Sequence, residues 1–142
     1  MVHGMSKVEW QEFVTYGTRT AKLAVVRKDR SPHVVPVWFV LDGDDLVLTT
    51  SRRTVKGKAI LRDPRVAICV EDDEPPFAFV SIRGVAEIVD DPDALMRYAT
   101  LIGGRYMGPR RAREFGERNA VPDEMLVRVH PTHVVAIGGM TD

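Results

Sequence analysis

Cysteine occurs once in the 142 residues, at Cys69, so neither a disulfide within the chain nor a cysteine-based zinc site is available. A charge excess is missing too, since 20 Lys and Arg stand against 20 Asp and Glu. A net charge of zero speaks against a general nucleic-acid or membrane-surface protein, because both usually need a basic surplus. No stretch approaches the roughly 18 apolar residues of a membrane span, and Met1 to Ser6 lacks the apolar centre of a secretion signal. A cytoplasmic protein is the resulting expectation. Neither Gly-x-x-x-x-Gly-Lys-Ser/Thr nor Gly-x-Gly-x-x-Gly is present, so nucleoside triphosphate and Rossmann-type dinucleotide binding have no support. No repeat or low-complexity linker divides the chain, and residues 1–142 read as a single domain. Cys69 itself lies in the apolar run Val66 to Val70, which points to a buried, inert thiol.

What is present reads as mainly β. Ser6 and Glu9 form a Ser-x-x-Glu capping box that opens a first helix. Thr20 to Val26, His33 to Leu41 and Leu46 to Thr50 follow as strands, joined by Arg27-Lys28-Asp29-Arg30 and by the turn Asp42-Gly43-Asp44-Asp45. Thr54 to Leu61 reads as a short helix stopped by Asp63-Pro64, because proline disfavours helix at the residue before it. Val66 to Glu71 and Phe77 to Val89 are further strands, and Gly84 marks a bulge or a close backbone approach. Asp91-Pro92 caps a helix over Asp93 to Ile102, a polar helix covers Arg110 to Arg118, and Met125 to His130 and Thr132 to Ile137 close the chain as strands. Six or seven antiparallel strands with few helices predict a small β-barrel, since closure removes exposed edges.

The short helix after the third strand carries the clearest chemical signal. Between Arg52 and Arg65 stand six bases (Arg52, Arg53, Lys56, Lys58, Arg62, Arg65) against one acid, Asp63. Thr49, Thr50, Ser51 and Thr54 add hydroxyl donors at the strand end. A strand end, a hydroxyl cluster and the first turn of a helix make a sound phosphate holder, with Lys56 and Lys58 both near the helix start. A solvated basic face is the plainer alternative.

Ser31-Pro32-His33-Val34-Val35-Pro36-Val37-Trp38-Phe39, Leu48-Thr49-Thr50-Ser51, Val55-Lys56-Gly57-Lys58 and Leu61-Arg62-Asp63-Pro64-Arg65-Val66 occur in this order. Together they resemble the pyridoxamine-phosphate-oxidase-like split-barrel superfamily, and within it the F420-dependent flavin/deazaflavin oxidoreductases of actinobacteria. The resemblance is clear from Thr20 to Gly84 and looser elsewhere. It implies an FMN-binding type split β-barrel, a homodimer with cofactor sites at its interface, and hydride transfer between coenzyme F420 and a conjugated small-molecule acceptor. FMN is the alternative cofactor, and a non-catalytic cofactor or haem carrier the alternative function. It further implies that Lys56 and Lys58 contact the cofactor phosphate, that Thr49, Thr50 and Ser51 line its tail, and that His33, Pro36, Val37 and Trp38 border the ring, with Phe77, Ala78 and Phe79 nearby. An Asn-Leu pair common in the family is replaced here by Ala59-Ile60, which removes one polar contact. Arg52 and Arg53 suit the longer anionic tail of F420.

Several residues keep two readings. Trp38 is a core aromatic or a ring wall, and His33 a turn histidine or a cofactor contact. Tyr106 and Met107 are helix-end packing or a flap over the substrate. Phe77 and Phe79 share one strand face, core or ring pocket. The arginines 110, 111, 113 and 118 are solvated surface or tail contacts. His130 and His133 lack a third ligand, so no metal site is expected. Hydride transfer needs no nucleophile, no triad is present, and the catalytic residues and any proton donor stay unassigned.

Overall fold

The computed structural model describes residues 1–142. A two-residue strand β1 (His3–Gly4) precedes α1 (Lys7–Thr15), where the Ser6 hydroxyl accepts from Glu9 N and the Glu9 carboxylate from Ser6 N. Then come β2 (Ala21–Val26), β3 (Pro32–Val37), β4 (Val40–Asp42) and β5 (Asp45–Ser51). After α2 (Val55–Arg62) follow β6 (Arg65–Asp72) and β7 (Ala78–Val89). α3 (Pro92–Met107), a 3-10 turn (Pro109–Arg111), α4 (Ala112–Asn119) and β8 (Glu124–Gly138) complete the chain.

All strands join one antiparallel sheet in the order β3-β2-β6-β7-β8-β5-β4, with β1 attached to β8. Its two end strands, β3 and β4, are consecutive in the chain and separated only by Trp38 and Phe39. Three peptide steps span at most about 11 Å, so the two ends of the sheet have to meet and the sheet curls on itself. The result is a split barrel: β4 pairs with the first half of β5, β3 pairs only with β2, and no ladder joins β3 to the second half of β5. Alternation along each strand sends Leu23, Val25, Leu46, Leu48, Ile68, Val70, Val80, Ile82, Val127 and Val129 inward. Phe39, fully buried, plugs the crossover.

Four sequence expectations change. The strand expected over His33 to Leu41 breaks at Trp38-Phe39, because the chain leaves β2 there and joins β5. The two last expected strands are one, β8, in which Pro131 faces Gly84 and Thr132 is the extra residue of a bulge. A proline without an N–H is tolerated at such a place. A Cβ on Gly84 would lie 2.8 Å from His130 O, which explains the glycine as a close approach. α3 runs on through Gly103-Gly104 to Met107, since a Cβ at Gly103 would meet Phe115 Cβ at 2.6 Å and one at Gly116 would meet Thr100 Oγ1. The glycines bring α3 and α4 together; they do not end the helix. Cys69 lies on the outer barrel face, half-buried, and not in the core; burial still raises its thiol pKa, consistent with an inert group.

The outer face is covered on one side only. α3 packs Tyr98, Ala94 and Leu95 over Val47, Leu126 and Val89. The outer face of β3, β2, β6 and β7 stays bare, with Val34 62%, Val85 41% and, on β8, Val135 41% exposed.

Candidate functional site

The open seam between β3 and β5 places the expected residues. Carrying the β4–β5 register (Val40↔Val47, Asp42↔Asp45) back along the chain brings Trp38 level with Thr49 and Pro36 level with Ser51. No ladder joins either pair, so β3 and this half of β5 border an open seam. α2 packs against β5 and β2 and so bridges the seam at the end where β3 begins. Its start is fixed by the sequence: Thr54 Oγ1 accepts from Gly57 N at 3.0 Å and donates to Ser51 O at 2.8 Å. A Cβ on Gly57 would fall 2.1 Å from Ser51 O, so only glycine lets α2 sit this close to the strand end.

At that end the N–H groups of Val55 and Lys56 have no acceptor within the chain. The Lys56 charge lies near Glu124, a half-buried carboxyl whose pKa is raised by burial and lowered less strongly by Thr49 and Lys56. Thr49, Ser51, Lys56 and Glu124 thus share one patch, since Ser51 and Glu124 are direct cross-strand partners. Glu124 carries no motif and was not legible as a site neighbour; only the β5–β8 register reveals it.

Other expected residues are placed differently. Lys58 is exposed two positions beyond Lys56, and side chains two apart on a helix do not share a face, so the two lysines do not converge from the helix itself. Thr50 is 2% exposed and turns inward, with its hydroxyl 3.1 Å from Thr54 Oγ1. Val37 is buried in the core. Arg53 pairs with Asp123 at 2.8 Å. Arg52 lines a pocket of about 670 Å³ whose charged walls are otherwise acidic (Asp90, Asp91, Asp93, Glu124), which is no setting for an anionic tail. His33 is held by Arg27 at 2.8 Å at the start of β3. Phe77, Ala78 and Phe79 lie at the opposite end of the sheet, where Asp72 pairs with Ala78; β6 starts at the α2 end, seven residues or roughly 23 Å away. One chain does not bring them to Lys56.

Trp38 is 37% exposed and stacks on Tyr106, with ring centroids 4.9 Å apart and planes 6° from parallel. Tyr106 is therefore packed helix-end structure, and not a flap. His130 and His133 form no metal cluster: His130 instead faces Asp45 through Nδ1 (3.0 Å) and Glu87 through Nε2 (2.9 Å). Arg111 and Arg113 are paired with Glu114 and Glu117 on the surface.

A split antiparallel barrel with an open seam defines a fold class, the split barrel of pyridoxamine-phosphate-oxidase-like proteins. The family model described as pyridoxamine 5'-phosphate oxidase matches residues 7–138, and the chain belongs to that family. Among solved structures it is similar to a conserved hypothetical protein of Mycobacterium tuberculosis, at 30% identity and TM-score 0.84, covering 96% of this chain and 87% of that one. It is also similar to an F420 reductase, at 29% identity and TM-score 0.67, covering 87% and 94%. The haem storage protein HutZ of Vibrio cholerae shares the fold, at 21% identity and TM-score 0.75, covering 96% and 98%. No curated protein matches. No helix is long and apolar enough to cross a membrane.

Proposed function

We propose that this chain is a coenzyme F420-dependent oxidoreductase that reduces a conjugated, electron-poor small molecule. The observation that carries the reading is the mouth of the seam, where Lys56 and two free backbone N–H groups stand at the start of α2. That donor set fits one phosphate: a cation, a helix start and no competing acceptor among the N–H groups. Similarity to an F420 reductase supports the deazaflavin over other anionic ligands. When bound and reduced, the deazaflavin supplies the hydride. Lys56 holds the phosphate, Thr49 and Ser51 flank the tail, and Pro36 and Trp38 wall the ring and exclude water. A second copy of the chain, docked on the bare sheet face, brings its Phe77 to Phe79 stretch toward the seam and completes the pocket.

FMN is the second reading, and one observation favours it. Asp123 already neutralises Arg53, so fewer free cations remain for a long anionic tail than the sequence suggests. The test is oxidation of reduced F420, followed by its absorbance, with a quinone-like acceptor. Acceptor-dependent oxidation at catalytic protein concentration supports the proposal. Binding without turnover across a panel of conjugated acceptors contradicts it and leaves a carrier.

A further inference from the structure

The last turn of α3 reaches the crossover at which the seam begins. Phe39 N donates to Tyr106 OH at 3.3 Å, and Phe39 O accepts from Arg105 Nη1 at 2.7 Å. Both backbone groups of the crossover residue are thus taken by two neighbouring side chains of one helix. The same side chains are anchored beyond it: Tyr106 OH donates to Arg19 O at 2.7 Å, and Arg105 donates to Gly17 O at 2.9 Å, Val14 O at 2.8 Å and Arg19 O at 3.3 Å. Arg105 has no carboxylate partner and spends its guanidinium on four main-chain carbonyls, a use its fixed fork of donors permits. The Tyr106 ring then lies flat against Trp38.

We propose that Arg105 and Tyr106 are positioning residues for the coenzyme ring, holding the Trp38-Phe39 crossover so that the indole stands as a fixed wall of the seam. The inference rests on the reading above that a flavin or deazaflavin ring lies along that seam. Alternation turns Phe39 into the core and Trp38 outward, where the indole is stacked on Tyr106 and tilted against Phe115 yet stays 37% exposed. An aromatic side chain that is both immobilised and accessible is prepared for a flat ligand, because the entropy of ordering it has been met before binding.

The test compares wild type, Tyr106→Phe, Arg105→Lys and Lys56→Ala in titrations with F420, with FMN and with their phosphate-free riboflavin-type counterparts. Tyr106→Phe keeps the ring and removes two hydrogen bonds; Arg105→Lys keeps the charge and removes the fork, and stands in where the first variant fails to fold. Both are expected to weaken phosphate-bearing and phosphate-free ring compounds alike, by roughly fivefold, the scale of one side chain's lost pre-ordering. The near-ultraviolet dichroism of the Trp38–Tyr106 pair is expected to change with them. Lys56→Ala is expected to weaken only the phosphate-bearing forms. Unchanged affinity in both α3 variants, or a loss confined to phosphate-bearing compounds, overturns the inference. Wild-type protein that binds none of the ring compounds overturns the underlying reading itself.

Discussion

Under the proposed function, Lys56 is the residue on which coenzyme binding turns, because it adds a full charge beside N–H groups that no other part of the chain satisfies. Its removal is predicted to weaken F420 or FMN by about 1.5 kcal/mol or more, the range of a charge-assisted hydrogen bond. Calorimetric titration of Lys56→Ala checks this, and wild-type affinity in the variant removes the phosphate assignment. A second residue-scale prediction concerns His130. Both ring nitrogens face carboxylates, Glu87 and Asp45, so the doubly protonated imidazolium is the form the site satisfies, and its pKa is raised, first by the hydrogen bond to Glu87. The folded pKa then exceeds the unfolded value of about 6.5, so the stabilisation is complete below that pH and fades as pH rises through the folded pKa. Urea midpoints are expected to fall between pH 6 and 8 in wild type and to lose that slope in His130→Gln. A His130 signal titrating below 6.5 by NMR contradicts it. Arg128 and Tyr98, with Asp42 and Asp45, extend this cluster, yet no spacing in the sequence announces it, since it joins β4, β5, β7, β8 and α3 through register alone.

At the scale of elements, local chemistry wrote clear signals and tertiary contact blurred others. The Ser6–Glu9 box, the Asp91 cap and the stop at Asp63-Pro64 depend on neighbours a few residues away, and each was legible, whereas Thr54, read as the first helical residue, is the cap of α2. α3 was read five residues short because Gly103-Gly104 looks like a helix end, whereas the glycines answer to Phe115 and Ala112 on another helix. The break at Trp38-Phe39 and the continuity of β8 through Pro131 depend on which strand lies alongside, which the local pattern does not contain. The same logic separates the candidate site residues. The basic cluster around Lys56 is legible from charge, but the inward turn of Thr50 and the pairing of Arg53 with Asp123 follow from packing. Gly57 yields a prediction of its own. Gly57→Ala places a methyl against Ser51 O and has to push α2 from the strand end, at a cost of about 2 kcal/mol by the measure of overpacked cores. Thermal unfolding of Gly57→Ala is expected to show the loss together with weaker phosphate-dependent binding; an unshifted transition contradicts the close approach.

At the scale of the molecule, the outer face of the barrel is covered on one side only, and the proposed function sets a partner on the other. α3 shields the β5–β8 side, while the β3-β2-β6-β7 side exposes Val34 and Val85 beside Ala24 and Ala67. Under the proposed function a second copy docks there, covers this face, which Arg65 and Arg83 share, and supplies what one chain holds too far from Lys56. The protein is therefore expected to travel at twice its 15.9 kDa chain mass in sedimentation, and Val34→Asp to shift it toward the single chain and weaken coenzyme binding together. A wild-type species at the single-chain mass contradicts the shared site. The central claim, a deazaflavin held at the seam by Lys56, is tested most directly by titrating the purified protein with F420 and separately with FMN while following tryptophan fluorescence. Saturable quenching by F420 at lower concentration than by FMN, lost in Lys56→Ala, is the predicted result; tighter binding of FMN, or no response to either, contradicts it.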